Sequence, residues 1–213
     1  MAGVSAEKPE GYYGNERRDV VEMLPRPVGA VLDVGCGDGA NAAALREAGA
    51  TRIAGIEVVP EAAQRARERF DEVLTGTVEE RIGDLEGPFD TILFLDVLEH
   101  LVDPAAVLRA AHRVAAPGAH VQVSVPNARH YSLVRDLMLR GTFGYADWGH
   151  RDSTHLRWFT RRDVEALLRD AGWDVLRTSH PALGRSRALD RVTRGRSTEF
   201  LVGQWYVLAR APR

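Results

Sequence analysis

The chain has 213 residues, of which 45% are hydrophobic and 27% are charged, and this composition fits one globular domain with a continuous core. Its formal net charge of -2 argues against a protein that binds nucleic acid through overall charge. No apolar run approaches the roughly 20 residues of a membrane helix and the first residues do not follow the pattern of a signal peptide, so we expect a cytoplasmic protein without a membrane partner.

Strand and helix patterns alternate along the first two thirds of the chain. Residues 1–29 are expected to form an N-terminal arm with a helix. After them, the apolar runs AVLDV, RIAGIEV, EVLTG, TILFLDV and HVQVSVP alternate with amphipathic segments rich in alanine and arginine. Such alternation is typical of a parallel sheet with helices on both faces. We therefore predict a doubly wound α/β core over residues 30–127, in which Pro117 and Gly118 end the helix before the fifth strand.

The pattern changes after the fifth predicted strand. Residues 128–160 lack regular periodicity and contain six aromatic side chains with three histidines, so we predict an insertion beside the functional site. Residues 161–213 resume with a helix (TRRDVEALLRDAG), a strand (WDVLRTSH) and a last strand (EFLVGQWYVLARA). All four segments are predicted to belong to one domain, present as a monomer or homodimer.

The stretch VLDVGCGDGAN after the first strand predicts a ligand site. In a doubly wound sheet this turn faces the crevice where ligands bind, and Gly35 and Gly37 let the backbone come close to a ligand. Cys36 between them is interpreted as a small residue that fits the turn. The spacing is G-x-G-x-G, with carboxylates at Asp33 and Asp38. These acids would repel a pyrophosphate and attract an ammonium or sulfonium group.

A second acid defines the ligand further. Glu57 ends the second predicted strand, where a carboxylate can accept both hydroxyls of a ribose, and Val58 follows it in the predicted site. A ligand with a ribose, a cationic group and no phosphate is therefore indicated. S-adenosylmethionine fits this description.

Motifs from the glycine turn to SVPN resemble the class I S-adenosylmethionine-dependent methyltransferases over about half of the chain. They include TILFLDVLEHLVDP and PGAHVQVSVPN, and the resemblance is strongest toward the subgroup of ubiquinone-pathway O-methyltransferases and sugar or natural-product methyltransferases. It implies a Rossmann-like sheet of about seven mostly parallel strands, with the last strand antiparallel. It also implies methyl transfer to a hydroxyl, or in second place an amine, of a small-molecule acceptor in natural-product or polysaccharide biosynthesis.

The contact to the adenine is predicted with two candidates. The resembling family commonly has an acid after the third strand, but this chain has Thr77 followed by Val78 at the expected position. Asp84 in GDLE resembles the acidic motif, yet it lies close in sequence to the start of the fourth strand. We predict Thr77 and Val78 as the adenine contacts and keep Asp84 as the alternative.

The fourth strand leads into Asp96, Glu99 and His100, whose i, i+3, i+4 spacing puts three side chains on one face of a helical turn. The resemblance implies that Asp96 contacts the cofactor. Three hypotheses remain for the cluster: a divalent cation such as Mg²⁺ bound by two carboxylates and one imidazole, contact of His100 with the acceptor as a base, or structural bracing of the turn.

The insertion ends in GHRDSTHLRWFT, which resembles a signature of methyltransferases from surface-polysaccharide and secondary-metabolite clusters. In this segment His155 is a candidate base for a hydroxyl proton, and Asp152 would orient it. The alternative is a fixed loop in which both residues hold the insertion against the sheet. Two other functions are kept as hypotheses: an NAD-linked oxidoreductase and a non-catalytic nucleotide-binding protein of the same fold.

Overall fold

The computed structural model describes residues 14–181 and 197–212. The basic segment RSRALDRVTRGR, residues 185–196, lies wholly outside the described residues. Seven strands are present: β1 (Gly29–Val34), β2 (Ala50–Glu57), β3 (Glu72–Thr75), β4 (Phe89–Leu95), β5 (Ala115–Pro126), β6 (Asp174–Ser179) and β7 (Gln204–Arg210). The described helices are α1 (Arg18–Val21), α2 (Ala42–Glu47), α3 (Pro60–Ala66), α4 (Val78–Arg81), α5 (Pro104–Ala111), α6 (Tyr131–Arg140), α7 (Arg161–Asp170) and α8 (Thr198–Leu201).

The strands form one sheet in the order β3-β2-β1-β4-β5-β7-β6. Strands β1 to β5 are mutually parallel, whereas β7 is antiparallel to both β5 and β6. This arrangement confirms the predicted Rossmann-like sheet and its antiparallel last strand. The order reverses between β1 and β4, and ligands of such sheets bind outside the carboxyl ends of the strands at this point.

Both faces of the sheet are covered, because successive side chains of a strand point to opposite faces. Val31 and Leu93 join an apolar cluster with α2 and α3, whereas Leu32, Ile92 and Phe94 join a second, larger cluster with α5 and α7. Each of these five side chains is 0% exposed. Burial on two faces explains why the central strands read as continuous apolar runs.

Three sequence predictions about elements are corrected. The helix before β5 ends at Ala111, and Pro117 and Gly118 lie within β5, at a register irregularity against β4. The insertion was predicted to be irregular, but it contains the helix α6. The buried residues of α6 are Leu133 and Asp136, so its sequence shows little helical periodicity of apolar side chains. The predicted last strand begins with the short helix α8 instead. Among the described residues, no helix has the length and apolarity needed to cross a membrane.

Candidate active site

The glycine turn after β1 borders the candidate site at the carboxyl edge of the sheet. Gly35 and Gly37 have φ values of +70° and +56°, which glycine adopts without steric cost. A Cβ atom on Gly35 would lie 2.7 Å from Val97 Cγ2 in the turn after β4. Cys36 is buried with its sulfur against Gly55 of β2, and burial raises the pKa of its thiol. The thiol is therefore a packing group and not a reactive one.

Asp33 is the buried acid of this turn, at 1% exposure. Its Oδ2 accepts a hydrogen bond from Asn41 Nδ2 at 3.0 Å, and Asn41 Oδ1 accepts one from the backbone N–H of Arg17 at 2.9 Å. Burial, together with the charge of Glu57, raises the pKa of Asp33 to about 7. A buried carboxylate with a raised pKa gains from a nearby cation, so this position favours a positively charged ligand.

Glu57 lies at the end of β2 and is 4% exposed. Its two carboxylate oxygens accept hydrogen bonds from the backbone N–H groups of Gly37 and Val59, each at 2.9 Å. Burial raises the pKa of this side chain as well. These bonds fix the carboxylate at the rim of the glycine turn, and each oxygen keeps a lone pair for a ligand hydroxyl. Val58 follows Glu57 and is exposed.

Both candidates for the adenine contact lie near the end of β3. Thr77 directly precedes α4 and is exposed, and Val78 is buried. Asp84 pairs with Arg81 at 3.2 Å, and Arg81 Nε donates to the backbone oxygen of Thr75, the last residue of β3. The chain thus brings Asp84 back toward the strand end where Thr77 lies, and both residues stay candidates.

Asp96, the predicted cofactor contact after β4, is held by three donors. Arg17 Nη1 lies 2.5 Å from Asp96 Oδ2, while the Ser124 hydroxyl and Gln204 Nε2 donate to Oδ1 at 3.0 and 2.8 Å. Asp96 has a φ of +58°, which non-glycine residues rarely adopt. The carboxylate is therefore directed toward Arg17 and the β5–β7 side of the sheet.

Arg17 is a residue of the site that the sequence analysis missed. It is 9% exposed, and its guanidinium also donates to the Tyr206 hydroxyl at 3.0 Å and to Gln204 Oε1 at 3.2 Å. Its backbone bond to Asn41 links it to Asp33 as well. Because the partners of its side-chain hydrogen bonds lie 79 to 189 positions away in the sequence, no local pattern could identify it.

The turn after β4 differs from the prediction. The 3-10 turn covers Leu98–His100, and Asp96 lies before it in left-handed backbone, so Asp96 does not share a helical face with Glu99 and His100. Instead His155 of the insertion completes the cluster: its Nε2 lies 4.0 Å from Glu99 Oε1, and its ring meets that of His100 edge-to-face at 4.8 Å. Burial, and next the charge of Asp96, raise the pKa of Glu99 well above its usual range.

Asp152 is buried at 1% exposure and fixes the loop that carries His155. Its Oδ1 accepts hydrogen bonds from the backbone N–H and the hydroxyl of Thr154, at 2.9 and 2.7 Å. The orientation of His155 by Asp152 stays a prediction. A carboxylate that lies beside His155 Nε2 is that of Glu99.

Comparison with known proteins identifies the family of the chain. Residues 12–178 match the model of a family described as a methyltransferase domain, which is most of the chain. The chain belongs to this methyltransferase family. Its resemblance to the class I S-adenosylmethionine-dependent methyltransferases is thereby confirmed.

Individual relatives agree with the family. The methyltransferase is 33% identical to a ubiquinone biosynthesis O-methyltransferase of Pseudomonas paraeruginosa over 68% of this chain and 64% of that protein. For the corresponding protein of Pseudomonas aeruginosa the identity is 37%, over 46% and 44% of the two chains. The matches thus span about half to two thirds of these relatives. A solved S-adenosylmethionine-dependent methyltransferase of Mesorhizobium loti has the same fold, with a TM-score of 0.62 and 18% identity over 90% of this chain and 95% of that one.

Proposed function

We propose that this protein transfers the methyl group of S-adenosylmethionine to a hydroxyl group of a small molecule, with an amine as the second choice of acceptor. The observation that carries the proposal is the pair of buried carboxylates, Asp33 and Glu57, beside the positive-φ glycines of the turn. A cofactor with a cationic methionine part and a ribose diol supplies the partners that these two acids favour.

Each part of the cofactor would meet a different strand end. Asp33, at the end of β1, suits the positively charged methionine part. Glu57 suits the ribose hydroxyls, and the Thr77–Val78 segment suits the adenine ring. A pyrophosphate in place of the methionine part would meet the carboxylate of Asp33, which disfavours a dinucleotide such as NAD.

The proposed methyl transfer needs no covalent intermediate with the protein. The acceptor oxygen attacks the methyl carbon in line with the carbon–sulfur bond, the new oxygen–carbon bond forms as that bond breaks, and the sulfonium becomes a neutral thioether. The hydroxyl proton must leave during this step. Alignment, exclusion of water and proton removal are therefore the tasks of the chain, and we assign the proton removal to the cluster of His100, His155 and Glu99.

The insertion supplies a surface for the acceptor. Phe143, Tyr145 and Trp158 form a trio with ring centroids 5.0 to 6.5 Å apart, and the last two are at least 40% exposed. Exposed rings of this kind cover a flat phenol or the apolar face of a sugar. The name of the Pseudomonas relatives, O-methyltransferase of ubiquinone biosynthesis, favours a phenolic hydroxyl, and the GHRDSTHLRWFT segment favours a sugar or natural product.

Calorimetric titration with S-adenosylmethionine, S-adenosylhomocysteine and NADH tests the cofactor assignment. We expect micromolar binding of both adenosyl ligands and none of NADH, since typical enzymes bind such ligands in about this range. Asp33→Asn and Glu57→Gln should each weaken binding by about tenfold or more, whereas Asp170→Asn, on the exposed end of α7, should not. NADH binding in place of the adenosyl ligands would revive the oxidoreductase hypothesis. No binding of the adenosyl ligands by the folded protein would remove the enzyme assignment.

Release of S-adenosylhomocysteine tests the acceptor. The protein is incubated with S-adenosylmethionine and, separately, with a panel of catechols, a panel of nucleotide-linked sugars and a panel of primary amines. Turnover with one hydroxyl panel identifies the acceptor class. Turnover with the amines alone would replace oxygen by nitrogen as the methylated atom.

A further inference from the structure

We propose that a small cavity at the carboxyl edge of the sheet binds a phosphate group of a small molecule. Its walls come from the segment after β5, the start of α7, the helix α8 and the start of β7. Three arginines, one carboxylate and one tryptophan supply its functional groups: Arg129, Arg161, Arg162, Glu199 and Trp205. Guanidinium and indole groups are donors only, so this set suits a ligand rich in acceptor oxygens.

The cavity carries an excess of positive charge. Three guanidinium groups and one carboxylate line it, which leaves two positive charges. The carboxylate of Glu199 pairs with Arg129 and, at 3.3 Å, with Arg161. Arg161 also pairs with Glu165, which lies outside the cavity lining. Arg162 is exposed and forms no ion pair with any residue that the structure describes. A phosphate dianion would balance the excess, and guanidinium groups match phosphate oxygens in geometry as well as in charge.

The indole of Trp205 is the observation that points to a ligand. Trp205 is 4% exposed, and within the described part of the chain its Nε1 has no hydrogen-bond partner. A buried indole N–H is normally paired, because an unpaired buried donor is costly. The indole nitrogen can only donate, so the group that would pair with it is an acceptor. A phosphate oxygen in the cavity that Trp205 lines would supply this acceptor.

The first turn of α7 adds to the attraction for an anion. Arg161 and Arg162 are the first two residues of this helix, where backbone N–H groups have no intrahelical acceptor and the helix dipole is positive. The capping box uses the N–H groups of Thr160 and Asp163 and leaves those of the two arginines outside it. Two arginine side chains at this end are unfavourable unless an anion offsets their charge.

The walls of the cavity are held in place by contacts that do not involve the ligand. Asn127 is 0% exposed, and its Nδ2 donates to the backbone oxygens of Glu199 and Val202, both at 2.8 Å. The guanidinium of Arg129 lies over the ring of Phe200, 4.5 Å from its centroid. These contacts join the end of β5 to α8, so little ordering remains to be done when an anion binds.

The position of the cavity relates it to the acceptor, a role that rests on the proposed methyl transfer. Ser124, which donates to Asp96, precedes Asn127 by three residues, roughly 10 Å along an extended strand. Asn127 also forms a bridge with Phe159, the residue after Trp158 of the aromatic trio. A phosphate bound in the cavity would therefore lie beside the proposed acceptor surface. The site favours an acceptor that carries a phosphate group over a phenol that carries none.

Phosphate binding is measured on the full chain with inorganic pyrophosphate as the probe. Calorimetry gives the affinity and the number of sites, and the NMR signals of the indole N–H groups report the contact without any turnover. The sequence holds four tryptophans, and the indole signal that is missing from Trp205→Phe belongs to Trp205. We expect one pyrophosphate per chain, and we expect the Trp205 signal to shift as the site fills, because its N–H gains an acceptor.

Substitutions in α7 separate the site from a general effect of charge. Arg162→Gln should weaken pyrophosphate binding by at least about fivefold, and Trp205→Phe, which keeps an aromatic ring but loses the donor, by about threefold. Arg169→Gln is the matched control, because it removes the same charge from the last turn of the same helix, about 10 Å along its axis. Its affinity should stay within about twofold of the native value, since exposed charges at this distance are largely screened.

Several outcomes would overturn the site: no pyrophosphate binding by the folded protein, binding that leaves the Trp205 signal unmoved, or an equal loss of affinity in Arg162→Gln and Arg169→Gln. Circular dichroism of every variant shows that a loss of binding is not a loss of fold. The shift of the Trp205 signal in the native chain tests the site even where a variant does not fold.

Turnover separates this proposal from the proposed function. With the nucleotide-linked sugars as acceptors, Arg162→Gln should raise KM by at least about fivefold and change kcat much less, because the phosphate contact is made equally before and during the reaction. Turnover of catechols that pyrophosphate does not inhibit would overturn the role of the cavity in acceptor binding. Pyrophosphate binding without any S-adenosylmethionine binding would remove the proposed function and leave the phosphate site intact.

Discussion

Replacing Asp33 with asparagine is expected to stabilise the cofactor-free protein at alkaline pH while it weakens cofactor binding. Burial raises the pKa of Asp33 from its ordinary value of 3.8 to about 7. The unfolded chain therefore loses this proton near pH 4 and the folded chain near pH 7. Between these values the folded state binds more protons, so the free energy of unfolding falls as pH rises. A shift of this size corresponds to about 4 kcal/mol above pH 8.

The asparagine side chain does not titrate, so the Asp33→Asn variant does not show this fall in the free energy of unfolding with rising pH. Its amide adds a buried N–H group whose pairing costs about 1–3 kcal/mol if it finds no acceptor, but that cost does not depend on pH. The difference in unfolding free energy between variant and native protein should therefore grow by about 3 kcal/mol from pH 4.5 to pH 8. Urea denaturation followed by tryptophan fluorescence measures it at both pH values.

Asp170→Asn is the control, because Asp170 is exposed at the end of α7. Its difference from the native protein should stay flat over the same pH interval. Saturating S-adenosylmethionine should stabilise the native protein at pH 8 and have a smaller effect on the Asp33 variant. A flat difference for Asp33→Asn would refute the reasoning, since it would mean that the carboxylate is solvated or already paired with a cation in the free protein.

Three further substitutions test other parts of the structure. Gly35→Ala should lower stability by at least about 1–2 kcal/mol in urea denaturation, because φ is +70° and the new methyl would lie 2.7 Å from Val97, whereas Gly83→Ala meets no atom within 4 Å. Thr77→Asp should tighten S-adenosylmethionine binding by up to about tenfold in calorimetry, since a charge-assisted hydrogen bond to the adenine amine replaces a neutral one. Unchanged affinity would favour Asp84 as the adenine contact. Thr160→Ala removes the capping box of α7 and should cost about 1 kcal/mol of thermal or urea stability, which Thr160→Ser should largely restore.

The alternation of strands with helices and the glycine turn after β1 could be predicted from the sequence, because both depend on residues that are close together in the chain. A central strand buried on two faces needs a continuous apolar run, and a tight turn under a ligand needs glycine at positive φ. The residues Asp33 and Glu57 follow directly from the strand ends that precede the ligand crevice. The helix α6 was missed because few of its side chains are buried, so its sequence carries only a weak apolar period.

What the sequence alone determined is the fold class, the cofactor class and the acids of the first two strand ends. Only the tertiary structure decided the partners of Asp96 and Glu99. Arg17 reaches Asp96 from the N-terminal arm, and His155 reaches Glu99 from the insertion, across 79 and 56 positions of the chain. Spacing in a sequence reports which side chains share a helix or strand face. It carries no information on contacts between distant segments, because those depend on how the sheet edge, the arm and the insertion pack against one another.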